Sequence, residues 1–306
     1  MKVTRFCSLL PPPLVNTLIS EFIDSLRWTN CSISTLNSYR KDLTLFLTHQ
    51  KTPESFTLEH LTTDALEAYF SSHSKNVKPT TLARYQSSLR SFCRWLMKKK
   101  YLDNNPFDSI PSVKVSPPLP KAVKSEALKR LFATVKQRID WIGKRDYALF
   151  LLLYQSGLRV SEALALKREH LDFQTRTLHI VGKGGVEAIV PFSSQTARAI
   201  RAYLRLLEME ISTPVPLFLS SRKRPLSYRQ VHTRLREYAQ SAGVGEITPH
   251  MLRHSFCTHL LASGRNLREI QLLARHRSIQ NTQRYLDMTI EQTTDAYRMS
   301  EKDLEV

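Results

Sequence analysis

The segment Thr248-Pro249-His250-Met251-Leu252-Arg253-His254 sets a histidine and an arginine three residues apart. Thr248 is a capping residue type and Pro249 suits the first helical position, so His250 and Arg253 fall on the opening turns of a helix and face the same way. A guanidinium fork, an imidazole and a helix N-terminus together suit an anion, a phosphodiester among them. A capping histidine and a surface arginine would use the same pattern. Zinc chemistry through His250 and His254 fits poorly, because Met251 stands where the metalloprotease pattern requires glutamate.

Three other segments carry comparable groups. In Ser156-Gly157-Leu158-Arg159-Val160-Ser161-Glu162-Ala163-Leu164, Arg159 sits at a helix junction among apolar neighbours, and Glu162, three residues on, can orient it. Alone, such a pair contributes roughly a few tenths of a kcal/mol and implies no chemistry. Val181-Gly182-Lys183-Gly184-Gly185 projects Lys183 from a glycine-rich turn, without the G-x-x-x-x-G-K-[ST] pattern of a phosphate-binding loop. The last segment, Leu272 to Tyr285, supplies His276 and Tyr285 among Arg275, Arg277 and Arg284. One tyrosine among eleven is ordinarily a packing residue.

These groups need a scaffold. After Pro11-Pro12-Pro13, apolar residues recur at helical spacing in four segments up to about residue 101, the clearest being Leu82, Tyr85, Leu89, Phe92 and Leu96. Asp103-Asn104-Asn105-Pro106 breaks the pattern, and Pro111, Pro117, Pro118 and Pro120 predict an extended linker at 108–121. The linker separates a helical unit at 14–107 from a second unit at 122–306. In the second, helices are expected near 128–135, where Ser125 could cap, and over 144–156, with Gly157 as the stop. Runs at 177–181 and 188–192 predict a hairpin with Lys183 at its turn. Further helices are expected at about 195–211, 227–242, 248–264, 267–275 and 280–298. The fold class is mainly α with a small sheet.

The chain has 306 residues, 42% of them hydrophobic, which is long enough for two cores. With 45 Lys and Arg against 27 Asp and Glu, its formal charge is +18, which favours a polyanionic partner. Residues 1–110 carry 14 basic and 9 acidic side chains, residues 111–285 carry 29 and 12, and the last 21 residues carry 2 and 6. The strongest positive field therefore belongs to the second unit, which ends in an acidic tail. Nucleic acid leads over an anionic membrane surface, since no basic amphipathic helix stands apart from the core helices. Cys7, Cys31, Cys93 and Cys257 lie far apart and form no C-x-x-C pair, so neither a zinc ribbon nor a redox motif is suggested and reduced thiols fit best. No signal peptide and no membrane-length apolar run is legible, so a soluble cytoplasmic protein is expected.

Taken as an ordered set, the motifs resemble the tyrosine recombinase (phage integrase) family, most closely its bacterial Xer branch. SGLRVSEAL is similar to the family's first arginine box, GKGG to its hairpin lysine, HMLRHSFCTHLL to its H-x-x-R box and LLARHRSIQNTQRYL to its His-to-Tyr box. STLNSYRKDLTLFL and TTLARYQSSLRSFCRWL resemble two helices of the Xer core-binding (SAM-like) domain, and LPKAV before Ser125 also fits. The resemblance implies a four-helix core-binding domain and a catalytic domain forming a clamp around DNA. It also implies a site of Arg159, Lys183, His250, Arg253 and His276 around the nucleophile Tyr285, with Glu162 in support. Two positions depart from the pattern: Arg275 stands where glycine is common before the histidine, and Asp287 where a histidine is frequent. Arg275 is expected to change that turn or to add a phosphate contact.

The implied chemistry matches the residue types. A phenol with an ordinary pKa near 10 needs local help to attack phosphorus, and His250 is the proton acceptor the motif offers. Arg159 and Arg253 would stabilise charge on the non-bridging oxygens, with a hydrogen bond from His276, and Lys183 would protonate the departing 5′ oxygen. The product would be a 3′-phosphotyrosyl linkage, resealed through a Holliday junction without ATP. No carboxylate cluster surrounds these motifs, so a two-metal mechanism is disfavoured and no cofactor is expected.

Candidate DNA contacts are Lys78, Thr80, Thr81, Arg84, Arg90 and Arg94 in the first unit, and Arg222, Lys223, Arg224, Arg229 and Arg236 in the second, beside His232. The resemblance further implies double-stranded DNA with inverted half-sites, a homo- or hetero-tetramer on two duplexes, a related recombinase or an activating protein as partner, and a tail from about 288 docked on a neighbouring protomer. Chromosome or plasmid dimer resolution is the expected task, with a phage or mobile-element integrase as the alternative. A catalytically weak DNA-binding homologue and a type IB topoisomerase are the other readings open to these motifs.

Overall fold

The computed structural model describes residues 15–29, 31–50, 53–115, 122–181, 187–208 and 216–275. The chain divides into two compact units, Met1–Pro117 and Pro118–Val306.

The first unit is helical, with α1 (Val15–Arg27), α2 (Ile33–Thr48), α3 (Thr63–Ser74) and α4 (Pro79–Lys98). Ser32 caps α2 by accepting the Thr35 N–H at 3.2 Å, and Pro79 occupies the first turn of α4, where a missing N–H costs nothing. The predicted 3-4 apolar rows face inward: Leu18, Phe22, Leu43, Phe46, Leu66, Tyr69, Leu89, Phe92 and Leu96 are all buried in one core. One buried charge sits beside this core. Asp42 accepts the Arg84 guanidinium, with one contact at 2.6 Å, and the Ser88 hydroxyl at 2.8 Å. Ile110 and Val113 pack into the same core, and the Gln86 side chain pairs with the backbone of Pro111 and Val113. Those linker positions are thus part of the first unit's folded body.

The second unit contains α5 (Ser125–Gln137), α6 (Trp141–Gln155), α7 (Val160–Leu164), β1 (Leu171–Asp172), β2 (Thr177–Val181), β3 (Glu187–Pro191), α8 (Ser194–Glu208), α9 (Tyr228–Ser241), α10 (Pro249–Ala262) and α11 (Leu267–Ala274). Ser125 begins α5 instead of capping it: Lys124 is the cap and forms no side-chain bond there. The expected hairpin is present as β2 and β3, with Leu178 opposite Val190 and Ile180 opposite Ala188. A third strand, β1, adds to its edge, too short to give a periodic signal. From Ala148 to Leu153 helix α6 is apolar all round and runs through the main core, where all six of these residues are buried. Such a helix must be covered on every side, and α5, α8 and α10 all pack on it. The turn at 182–186, the end of the helix expected to reach 211, and the helix expected at 280–298 lie outside the described residues. Among the described residues, no helix is long and apolar enough to cross a membrane.

Candidate active site

Helix α6 ends at Gln155, and Gly157 lies just beyond it with φ +56°, the left-handed region that glycine enters without strain. A Cβ there would also meet the Phe256 ring at 2.4 Å, so the position is fixed by close approach to α10 as well as by its dihedral. The reversal buries Leu158 and presents Arg159 as the residue before α7.

Glu162, one turn into α7, is the hub of the site. Its Oε2 accepts the Arg159 backbone N–H at 2.8 Å, and its Oε1 accepts Arg159 Nη1 at 2.7 Å. Burial opposes its ionisation, but the Arg159 N–H, the positive charge of Arg275 and the Arg159 guanidinium together hold the carboxyl below its usual range. It is a carboxylate near neutral pH.

Arg253 comes from the first turns of α10, which Thr248 caps by accepting the Met251 N–H at 3.3 Å. Only 3% exposed, it donates Nη1 to the Gly157 carbonyl and Nη2 to the Ala274 carbonyl. Burial first, then the charges of Arg159 and Arg275, lower its pKa to about 10, so it stays protonated near neutral pH. Its two acceptors lie at the ends of α6 and α11, where carbonyls have no helical partner and carry partial negative charge.

Arg159, His250 and Arg253 line one cleft of about 220 Å³, with Ser161 and Tyr228 on its walls. His250 is exposed at its mouth and touches the His254 ring edge-on at a centroid distance of 4.2 Å. Partial desolvation of the ring, then the charges of Arg253 and Arg159, all push its pKa below the ordinary value, so the imidazole is neutral near pH 7. The cleft thus presents two fixed cations and one neutral base, a combination suited to a phosphodiester and an incoming hydroxyl nucleophile. Lys183, His276 and Tyr285 lie outside the described residues.

Arg275 takes the left-handed conformation, φ +55°, just after α11. Its side chain turns inward, to Glu162 at 2.9 Å. Sequence reasoning singled out Arg275 but missed this destination. It also missed the carbonyls of Gly157, Ala274 and Arg275 as arginine acceptors, since backbone oxygens have no sequence signal.

The DNA-contact candidates are in varied environments. Lys78, Thr80, Arg94, Arg222, Arg224, Arg229 and Arg236 are exposed, and Thr81 is half-buried. Arg84 forks onto Asp42, Arg90 donates to Ser112 at 3.0 Å and lies over Phe107, and Lys223 lies 4.0 Å from the Trp141 ring centroid.

The Phage integrase family matches residues 121–292, and the phage integrase N-terminal SAM-like domain matches residues 19–100. Tyrosine recombinase XerC of Oceanobacillus iheyensis is 34% identical, over 92% of this chain and 95% of its own length. Tyrosine recombinase XerD of Listeria innocua serovar 6a is 31% identical, over 93% of this chain and 98% of its own. Among solved structures, a XerH site-specific recombinase bound to palindromic difH substrate superposes with a TM-score of 0.74 at 20% identity, covering 94% of this chain and 85% of that one.

Proposed function

The chain belongs to the phage integrase family, and on that premise we propose that it is a Xer-type recombinase in which Tyr285 attacks the phosphodiester held by Arg159 and Arg253. As a member of that family it is a tyrosine recombinase, an enzyme that cleaves and rejoins DNA at specific sites. The observation that carries the residue assignments is the convergence of Arg159, His250 and Arg253 on one cleft, from the cap of α7 and the first turns of α10, distant in sequence.

In the proposed reaction, the Tyr285 phenol gives its proton to the neutral His250 imidazole as its oxygen bonds to phosphorus. Arg159 and Arg253, with a hydrogen bond from His276, stabilise charge on the non-bridging oxygens. The bond from phosphorus to the 5′ oxygen breaks, and Lys183 supplies the proton that oxygen needs. The 3′-phosphotyrosyl linkage retains the energy of the phosphodiester, so the reverse steps rejoin a strand with no ATP, and two rounds of exchange pass through a Holliday junction.

DNA contacts are assigned to both units. Exposed Lys78, Thr80 and Arg94 suit backbone phosphates in the first, together with half-buried Thr81. Arg222, Arg224, Arg229 and Arg236 in and before α9 suit the second. Arg84, Arg90 and Lys223 would reach DNA only with groups left over from their protein contacts. The two units would close on double-stranded DNA bearing inverted half-sites. Four protomers would join two such sites, alone or with a related recombinase and an activating protein, at the nucleoid in the cytoplasm. Dimer resolution of chromosomes or plasmids is the task this reading assigns, with integration of a phage or mobile element as the alternative.

The test is a nicked duplex carrying candidate sites, incubated with protein and run on a denaturing gel. Wild-type protein should trap a covalent complex and Tyr285→Phe none. A complex formed equally by Tyr285→Phe removes this tyrosine from the mechanism.

A further inference from the structure

A bulky residue in the left-handed conformation is uncommon, and Arg275 is held there by contacts of both its backbone and its side chain. Its N–H closes α11 by donating to Leu272 O at 3.1 Å. The guanidinium then crosses to the start of α7: Nη2 donates to Glu162 Oε2 at 2.9 Å and to the Gly157 carbonyl at 3.2 Å, while Nη1 donates to Leu273 O at 2.9 Å. The Arg275 carbonyl, aimed by the same left-handed turn, accepts Arg159 Nη2 at 3.3 Å. Arg159, Glu162 and Arg275 therefore form a closed ring: Arg159 to Glu162, Glu162 to Arg275, and Arg275 back to Arg159.

We propose that Arg275 is a positioning residue of the active site: by gripping Glu162 with its side chain and Arg159 with its carbonyl, it sets the plane of the phosphate-binding fork of Arg159. The proposal rests on the reading of this chain as a recombinase. Three observations separate this role from direct substrate contact. Both Nη groups of Arg275 are engaged by protein acceptors, its Nε is buried, and its side chain is only 14% exposed, whereas that of Arg159 is 40% exposed and lines the cleft. Glu162 also needs a second cation to work as a fixed hub. Burial opposes its charge, and the charge of Arg275 is among the largest influences that restore it. Finally, Arg253 donates to the carbonyl of Ala274, the residue before Arg275. One turn thus aligns both phosphate-binding arginines, and His276 is the next residue in the chain.

The left-handed backbone makes the test clean. Arg275→Gly removes the side chain at a position where glycine is conformationally at ease, and Arg275→Asn, also tolerant of that region, serves as a second variant if the glycine loosens α11. The probe is a nicked duplex enriched from a random-sequence library by binding to the wild-type full chain. Covalent-complex formation at saturating DNA should fall about ten-fold or more in both variants, because a displaced guanidinium no longer meets the transition-state charge. DNA affinity should change by less than about three-fold, since no phosphate contact is lost. Arg275→Lys should recover part of the rate, keeping the charge near Glu162 but not the planar fork. In a Glu162→Gln background, removing Arg275 should cost little more, because both act through Arg159.

A wild-type rate in both Arg275→Gly and Arg275→Asn overturns the proposal. So does a loss of affinity in proportion to the loss of rate, which would make Arg275 a phosphate contact, or losses that multiply with those of Glu162→Gln. If wild-type protein itself forms no covalent complex, the recombinase reading falls and this role falls with it. An active wild type beside unaffected variants removes the role of Arg275 alone.

Discussion

Among the described residues that line the cleft, His250 is the one that can accept a proton near neutral pH, and its surroundings lower its pKa. Because its pKa is lowered in the folded chain, the unfolded chain takes up the proton first as pH falls. The contribution of His250 to stability is therefore complete above about 6.5, the ordinary histidine value, and is lost as pH drops toward the lower folded value. His259, also lowered by burial, acts with the same sign. The His250 ring in the DNA-free protein should titrate below 6.5 by NMR, and His250→Gln should flatten part of the acid loss of stability. A midpoint at or above 6.5 would contradict the environment described. At this scale the sequence was legible for side chains and silent for backbone. His250, Arg253, Arg159 and Glu162 were all readable from motif spacing, whereas the Gly157 and Ala274 carbonyls that anchor Arg253 were not.

At the scale of elements, α6 and α9 are joined by a buried charge network that no motif announced. Asp146, 1% exposed, accepts Arg145 Nε at 2.9 Å, Arg234 Nε at 3.0 Å and the Tyr238 hydroxyl at 3.2 Å, and Arg145 also donates to Leu219 O at 2.7 Å. Removing the carboxylate leaves the Arg145 guanidinium buried without its counter-charge. Asp146→Ala should destabilise the second unit by about 3–5 kcal/mol, measured by urea denaturation. A midpoint matching wild type would mean the network carries no stability. Helix periodicity and caps predicted most element positions, and β2 was read with its observed limits. The failures are local. Two-residue β1 is too short to show a period, and Lys124, which caps α5, makes no side-chain bond there, so neither boundary has a residue signal.

For the whole molecule, charge is the property that most constrains function. A formal charge of +18, weighted toward residues 111–285, gives association with DNA a strong dependence on salt. The last 21 residues carry 2 basic and 6 acidic side chains, and on the proposed reading they dock on a basic surface of a neighbouring protomer. Deleting the chain after about residue 288 should weaken cooperative assembly on paired sites in gel-shift titrations while sparing single-site binding. Unchanged cooperativity would rule out the tail as the link between protomers.

Sequence alone determined the two-unit organisation, the helical class, the family resemblance and the identity of the chemical groups, because each of these is written in residue type, period and order along one chain. Tertiary structure decided which groups meet. Glu162 could have been only the local partner of Arg159, three residues away, and became a hub when α11 brought Arg275 to its other oxygen. Arg275 looked from its position like a disturbed turn or an added phosphate contact, and its direction was fixed by a left-handed backbone that points the guanidinium inward. Contacts between residues more than a hundred positions apart depend on how helices pack, and packing is a property of the folded whole.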